Sequence, residues 1–232
     1  MPRKRPLILA FDTSRRHIAA ALGDGDSLVA EHYEEMSRGQ AERLADVLQG
    51  MLDRADARWT DLDAIACGVG PGNFTGIRIS VAFARGVSLG LGRPAIGLTT
   101  FELIHDPSAA PEDRVEVVSV EEPLEAAYIQ VVSSGRAEGP PRMADPTAPP
   151  DDLRHPDLRV VGWRASELAA ALGAEGVPLA PGALATGMPR RLLARAASKL
   201  RAGTPAAPVP VYVRPADAAP AADAPPRILD DA

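Results

Sequence analysis

The sequence contains few of the residues on which several protein classes depend. Its one cysteine, Cys67, excludes an internal disulfide framework and indicates a reducing compartment. Aromatic residues make up 4% of the chain, and nearly all of its 25 basic residues are arginine, with lysine only at Lys4 and Lys199. Because the net charge is −6, we do not expect the chain to hold a nucleic-acid backbone unaided.

Long apolar runs are also missing. After the basic start MPRKRP, the run from Leu7 to Phe11 ends on Asp12 and is too short for the core of a signal peptide. No later segment approaches the roughly 20 consecutive apolar residues of a membrane span. We therefore expect a soluble, cytoplasmic protein without membrane contact.

Recognisable metal-binding and catalytic patterns are absent. His17, His32, His105 and His155 are scattered, with no His-x-x-x-His pair and no cysteine partner, so no metal site is predicted. Cys67 lies among apolar residues, which indicates a buried, inert thiol. No nucleophile-elbow motif is present, and we predict no catalytic residue.

What the sequence does contain is an alternation of strand and helix patterns. Apolar runs predict strands at 7–12, 17–22, 27–33, 62–69, 95–98, 115–120, 127–132, 158–162 and 209–213. Helical spacing predicts helices at 40–55 (with Ser37 as N-cap), 76–92, 166–172 and 189–200. The Pro-rich segment 138–150 is predicted as a loop and the Ala/Pro/Asp tail 216–232 as disordered. This alternation indicates an α/β fold.

The stretch GVGPGNFTGIR, from Gly68 to Arg78, joins a predicted strand to a predicted helix. It lacks the Lys-Ser/Thr of a phosphate-binding P-loop and the spacing of a dinucleotide-binding turn. Two interpretations remain. The turn cradles an anion at the start of the helix, with Asp12, Gly70, Gly72 and Thr75 as candidate nucleotide contacts, or its glycines serve tight turns and close packing.

The helix predicted after this turn is apolar on nearly every side. Gly86 and Gly90 each cost about 1 kcal/mol relative to alanine in a helix, so packing must compensate for them. Ala82, Gly86 and Gly90 also share one side, where another backbone can approach closely. Either this helix and the helix at 40–55 bind a partner, or both pack only on their own sheet. A basic face on the helix at 189–200 is a solvated surface or a contact for RNA or an acidic partner.

Four segments carry a family resemblance: ILAFDTS, GVGPGNFTGIRI, AIGLTT and PVYVRPAD. Together they resemble the bacterial tRNA threonylcarbamoyladenosine biosynthesis proteins of the TsaB (YeaZ-like) family, densely over 7–103 and thinly beyond. The resemblance implies an actin/Hsp70/sugar-kinase-like (ribonuclease H-like) fold with two related lobes, the second abbreviated. We accordingly predict an N-terminal lobe at 1–103 that carries the partner-binding helices, and a shortened C-terminal lobe at 104–215.

The resemblance further implies a non-catalytic scaffold without a cofactor. Such a protein pairs with a TsaD-like transferase, and with itself, through the two helices named above, and a TsaE-like ATPase joins the assembly. The product is tRNA threonylcarbamoylated on the adenosine next to the anticodon, with tRNA bound only by the complex. The predicted partner interface consists of Leu44, Val47, Leu48, Met51, Arg78, Val81, Ala82, Arg85, Gly86 and Leu89. Two alternatives stay open: a nucleotide-dependent small-molecule kinase that uses Asp12 and the glycine turn, and a peptidase.

Overall fold

The computed structural model describes residues 5–105, 114–122, 125–179 and 183–214. The predicted disordered tail, 216–232, lies outside these residues.

The first sheet has five strands: β1 (Leu7–Asp12), β2 (His17–Asp24), β3 (Ser27–Glu35), β4 (Ala64–Gly70) and β5 (Ala95–Thr99), in the order β3-β2-β1-β4-β5. The pairs β1–β2 and β2–β3 are antiparallel, whereas β1–β4 and β4–β5 are parallel. The helices of this part of the chain are α1 (Gln40–Arg54), α2 (Phe74–Leu91) and α3 (Thr100–Ile104).

Both faces of the first sheet are covered, which explains why its inner strands read as continuous apolar runs. Leu9 and Phe11 of β1 belong to the core formed with α1 and α2. Ile8 and Ala10, which point the other way, belong to a second core together with Leu192.

The second sheet repeats the connectivity of the first. Its strands are β6 (Val115–Glu121), β7 (Ala127–Ser133), β8 (Arg136–Ala144), β9 (Leu158–Gly162) and β10 (Glu175–Pro178), in the order β10-β9-β6-β7-β8. Here too two pairs, β6–β7 and β7–β8, are antiparallel. The other two pairs, β6–β9 and β9–β10, are parallel. Between its fourth and fifth strands lies α4 (Ala165–Leu172), where the first sheet has the 18-residue α2. The predicted two-lobed α/β fold with a shorter second lobe is confirmed.

The last helix, α5 (Ala183–Arg201), follows the second sheet in the chain but packs on the first. Arg191 Nη1 donates to the carbonyl of Leu103 at 2.8 Å, and Lys199 Nζ donates to the carbonyl of Gly97 at 2.9 Å. The predicted division of the chain after residue 103 stays a prediction.

Several element predictions need correction. The predicted loop at 138–150 contains most of β8, an edge strand that accommodates Pro140 and Pro141 because an edge strand has ladder positions where no N–H is needed. The predicted strand at 209–213 is instead an extended segment that touches the sheet through isolated bonds, such as Val211 N to the Val69 carbonyl at 2.8 Å. Helix α5 begins before Pro189, and the short elements α3 and β10 were not predicted.

The helix starts also differ from the sequence prediction. The residue before α1 is Gly39, in the left-handed conformation with φ 83°, rather than a capping Ser37. Helix α2 begins at Phe74, and its cap is the side chain of Asn73, whose Oδ1 accepts a hydrogen bond from Gly76 N at 2.9 Å.

Candidate partner-binding surface

The glycine turn is packed against the protein's own backbone. A Cβ atom on Gly72 would lie 2.2 Å from the Ser14 carbonyl oxygen, and one on Gly76 would lie 1.9 Å from the Thr13 carbonyl oxygen. Asn73 N donates to the Ser14 carbonyl at 2.6 Å, and Thr13 Oγ1 donates to the Gly76 carbonyl at 2.7 Å. The β1–β2 turn therefore occupies the space that a phosphate would need in a glycine cradle, which favours the packing interpretation of the turn.

Asp12, one of the candidate nucleotide contacts, is buried in a hydrogen-bonded cluster. Its Oδ2 accepts from Ser14 Oγ at 3.0 Å and contacts His17 Nε2 at 2.8 Å, and its Oδ1 accepts from Ser14 N at 3.1 Å. Burial opposes ionisation of Asp12, but the His17 hydrogen bond and charge, with the bonds from Ser14, outweigh it, so the pKa of Asp12 lies below its usual value. Among the other candidates, Gly70 adopts φ 90° in a buried turn, whereas Thr75 is exposed on the first turn of α2.

Half of the predicted partner interface lies inside the monomer, so that part of the prediction is wrong. Leu44, Leu48 and Met51 of α1 are 0% exposed, and Val47 and Val81 are 5% exposed. These side chains form the core between α1, α2 and the first sheet. The sequence pattern identified the apolar side of α1 correctly, but that side is covered by the protein's own strands.

The other half of the predicted interface is on the surface. Arg78, Ala82, Arg85, Gly86 and Leu89 are exposed on one side of α2, and Leu89 is 86% exposed. A Cβ atom on Gly86 would meet nothing within 4 Å. That these residues bind a partner stays a prediction.

Two aromatic residues extend this surface and were not predicted as part of it. The ring centroids of Phe74 and Tyr212 are 5.1 Å apart, and the Arg78 guanidinium lies 3.7 Å from the Phe74 centroid. Arg78 Nε also donates to the Tyr212 hydroxyl at 3.2 Å. We name Phe74, Arg78, Ala82, Arg85, Gly86, Leu89 and Tyr212 together the α2 face. No sequence pattern indicated Tyr212, because the chain brings it to α2 from a segment more than a hundred residues away.

Within the described residues, α2 is the single helix long and apolar enough to cross a membrane by length and composition. The same helix buries Ile77, Ser80, Val81 and Ala84 against the rest of the protein. The described residues contain no group of three or more His, Cys, Asp or Glu side chains that could hold a metal ion. Cys67 is 0% exposed, and burial raises the pKa of its thiol above the usual value.

The chain matches a family model, curated relatives and solved structures. Residues 32–118 match the family model described as "TsaD: tRNA N6-adenosine threonylcarbamoyltransferase". The tRNA threonylcarbamoyladenosine biosynthesis protein TsaB of Escherichia coli (strain K12) is 39% identical over 93 residues, which are 40% of each chain. A solved structure from Pseudomonas aeruginosa, described as similar to "peptidase YEAZ", has a TM-score of 0.70 and 25% identity, covering 90% of this chain and 100% of that one. The chain is a TsaB/YeaZ-like protein.

The TsaB/YeaZ-like chain aligns with the curated relatives over less than half of their length. The TsaB of Bacillus subtilis (strain 168), for example, is 30% identical over 97 residues, which are 42% of each chain. The aligned portion corresponds in size to the first sheet and its helices, whereas the solved structure is similar over both sheets.

The basic side of α5 in this TsaB/YeaZ-like chain is engaged with the protein itself. Arg191 and Lys199 donate to backbone carbonyls, as described above, and Arg195 Nε donates to the Glu102 carbonyl at 2.8 Å. Arg201 pairs with Asp26 at 2.6 Å, and Arg190 lies 3.6 Å from Glu31. These contacts favour a structural role for the basic side over a nucleic-acid contact.

Proposed function

We propose that this chain is a non-catalytic subunit required for threonylcarbamoylation of the adenosine next to the anticodon of tRNA. In this proposal it acts in the cytoplasm by pairing with a TsaD-like transferase, and a TsaE-like ATPase joins the pair. The names of the curated relatives and the match to the transferase family model support this pathway.

The observation that carries the proposal is the exposed α2 face. Phe74 and Tyr212 are 40% and 45% exposed, and Leu89 is almost fully so, although α2 buries its opposite side in the core. Burying these side chains against a partner contributes about 25 cal/mol per Å² of apolar area, before the cost of association is subtracted. Ala82 and Gly86 lie in the middle of this face. Because alanine has only a methyl group and glycine no side chain, a second helix can approach closely there.

The glycine turn and Asp12 support a scaffold role rather than nucleotide chemistry. The turn is filled by the carbonyls of Thr13 and Ser14, and both carboxylate oxygens of Asp12 contact protein donors. The charges of the α2 face, Arg78 and Arg85, are both positive, so the fitting partner surface is apolar with acidic groups at its edge.

Co-purification with the TsaD-like transferase tests the proposed interface. We expect Ala82→Arg and Gly86→Arg each to abolish complex formation, because a long charged side chain separates the two apolar surfaces. Both positions are exposed, so the monomer should keep its melting temperature. Ala170→Arg, at an exposed alanine on α4 in the other lobe, is the matched control and should bind normally. Normal binding by both α2 variants would contradict this interface.

Analysis of modified nucleosides tests the pathway itself. Depleting this protein from its cells should lower the threonylcarbamoyladenosine content of tRNA, and the wild-type gene should restore it while the Gly86→Arg gene should not. Unchanged threonylcarbamoyladenosine after depletion would refute the assignment. ATP turnover by the purified chain alone would refute the proposal that this subunit is non-catalytic.

The α2 face also fits the α2 face of a second copy of this chain. A homodimer in solution should therefore dissociate in the Gly86→Arg variant.

A further inference from the structure

A polar cavity of about 360 Å³ opens where the β1–β2 turn meets the first residues of α1 and α2. Its walls come from the β1–β2 turn, the segment before α1 and the cap of α2, and consist of Arg15, Arg16, Ser37, Arg38, Gln40 and Asn73. Three of these residues are arginines, and none is acidic or aromatic. We propose that this arginine cavity binds a phosphate group.

Hydrogen bonds fix the three segments that form the cavity. Gln40, which is 9% exposed, donates through Nε2 to the Arg15 carbonyl at 2.7 Å and to the His17 carbonyl at 3.3 Å. Met36 N donates to the Arg16 carbonyl at 3.0 Å, which holds the segment before α1 beside the turn. Asn73 N reaches the same turn at the Ser14 carbonyl. The arginines therefore start from a preorganised backbone, which lowers the entropy lost when they hold a ligand.

The charges of the cavity are largely uncompensated. Arg15 pairs with Glu121, the last residue of the central strand β6 of the second sheet. Arg16 and Arg38 are exposed, and neither forms an ion pair with any residue in the described part of the chain. The cavity therefore carries positive charge in a protein whose net charge is −6. Guanidinium groups bind phosphate oxygens in a bidentate geometry, with Ser37 and Asn73 as neutral donors beside them.

The cavity walls also indicate that the ligand is not recognised through a nucleobase. They offer no aromatic ring on which a base could stack, so the cavity recognises charge rather than base identity. The phosphate of an RNA backbone and a free oligophosphate share this chemistry. The inference depends on neither the α2 face nor the proposed pathway.

Binding of two probes to the full chain at low salt tests the proposal. The probes are inorganic pyrophosphate, followed by calorimetry, and a labelled oligouridine RNA, followed by fluorescence anisotropy. We expect at least one probe to bind, and the double variant Arg16→Gln, Arg38→Gln to bind it roughly tenfold or more weakly. The control is Arg93→Gln, Arg136→Gln, which removes two exposed arginines elsewhere and has the same net charge. It should bind as the wild type does.

Comparing the two probes identifies whether the phosphate belongs to RNA or to a free oligophosphate. If RNA backbone is the ligand, pyrophosphate competes with the RNA, and loss of both arginines lowers the slope of log K against log salt by about 1.4. If pyrophosphate alone binds, the ligand is a free oligophosphate. The proposal is overturned if neither probe binds, or if the two double variants bind equally well. If the double variant unfolds, the single variants Arg16→Gln and Arg38→Gln are measured instead. Each should bind the probe more weakly than wild type, by less than the loss expected for the double variant.

Discussion

Asp12 is a buried carboxylate whose partners all come from the adjoining turn and strand. Because its folded-state pKa lies below the unfolded value of about 3.9, its ionised form stabilises the folded protein. That contribution is fully present above the unfolded pKa and is lost as the pH falls through the folded pKa. The carboxylate therefore has a structural role, which is to hold the β1–β2 turn to the start of β2.

Replacing Asp12 tests this task. We expect Asp12→Asn to lower the free energy of unfolding by about 3 kcal/mol at neutral pH, since His17 loses a buried charged partner. The difference from wild type should shrink as the pH falls below the unfolded pKa of about 3.9, and it should vanish below the lower, folded pKa, where the wild type protonates the same group. Urea denaturation over a pH series measures both curves, with Asp46→Asn on the exposed side of α1 as the control. A difference between Asp12→Asn and wild type that does not change with pH would show that Asp12 is not ionised.

At the scale of an element, α2 combines two kinds of glycine. Gly76 is buried against the Thr13 carbonyl and has no room for a side chain, whereas Gly86 is exposed and faces open space. The first is explained by packing inside the monomer. The second costs helix stability and gains nothing from its own chain, which is the expected pattern for a position where a partner approaches.

Alanine at each position separates these two explanations. Gly76→Ala should lower the free energy of unfolding by about 3 kcal/mol, because the new Cβ meets a backbone carbonyl that cannot move away cheaply. Gly86→Ala should raise it by up to about 1 kcal/mol and, if the proposed interface is correct, still weaken binding to the proposed transferase partner. Chemical denaturation and co-purification measure the two effects. If Gly86→Ala is more stable and binds as tightly as wild type, close helix approach at this position is not needed.

Helices α1, α2, α4 and α5 and the inner strands were predictable because their apolar patterns mark the side chains that each element buries in a core. β8 was missed because Pro140 and Pro141 mark a loop unless one knows that the strand lies at an edge. Half of the predicted partner interface is buried for a related reason. Periodicity identifies which side of a helix is apolar, but whether the chain's own sheet covers that side, as it covers Leu44 and Val81, depends on tertiary structure.

At the scale of the whole molecule, the chain leaves the first sheet, builds the second and returns as α5 to cover the first. Leu192 and Leu193 of α5 are 0% and 2% exposed, and a Cβ atom on Gly23 of β2 would lie within 3 Å of the Leu193 side chain. The first sheet therefore obtains one of its two apolar covers from a helix that comes after the second lobe in sequence. The split after residue 103 suggested by the sequence would leave that cover on the other fragment.

Truncation tests whether the first lobe folds without α5. A chain that ends at Leu179 lacks α5, so we expect it to bind hydrophobic dyes and to lose cooperative unfolding, because the Ile8 and Ala10 side of the sheet faces water. A chain that ends at Arg214 keeps every described contact of α5 and is the control, with cooperative unfolding expected. In the full chain, Leu192→Ala should cost about 2–5 kcal/mol. Cooperative unfolding of the chain ending at Leu179, measured by circular dichroism, would instead show that α1, α2 and the sheet form a sufficient core, and that α5 is an accessory cover.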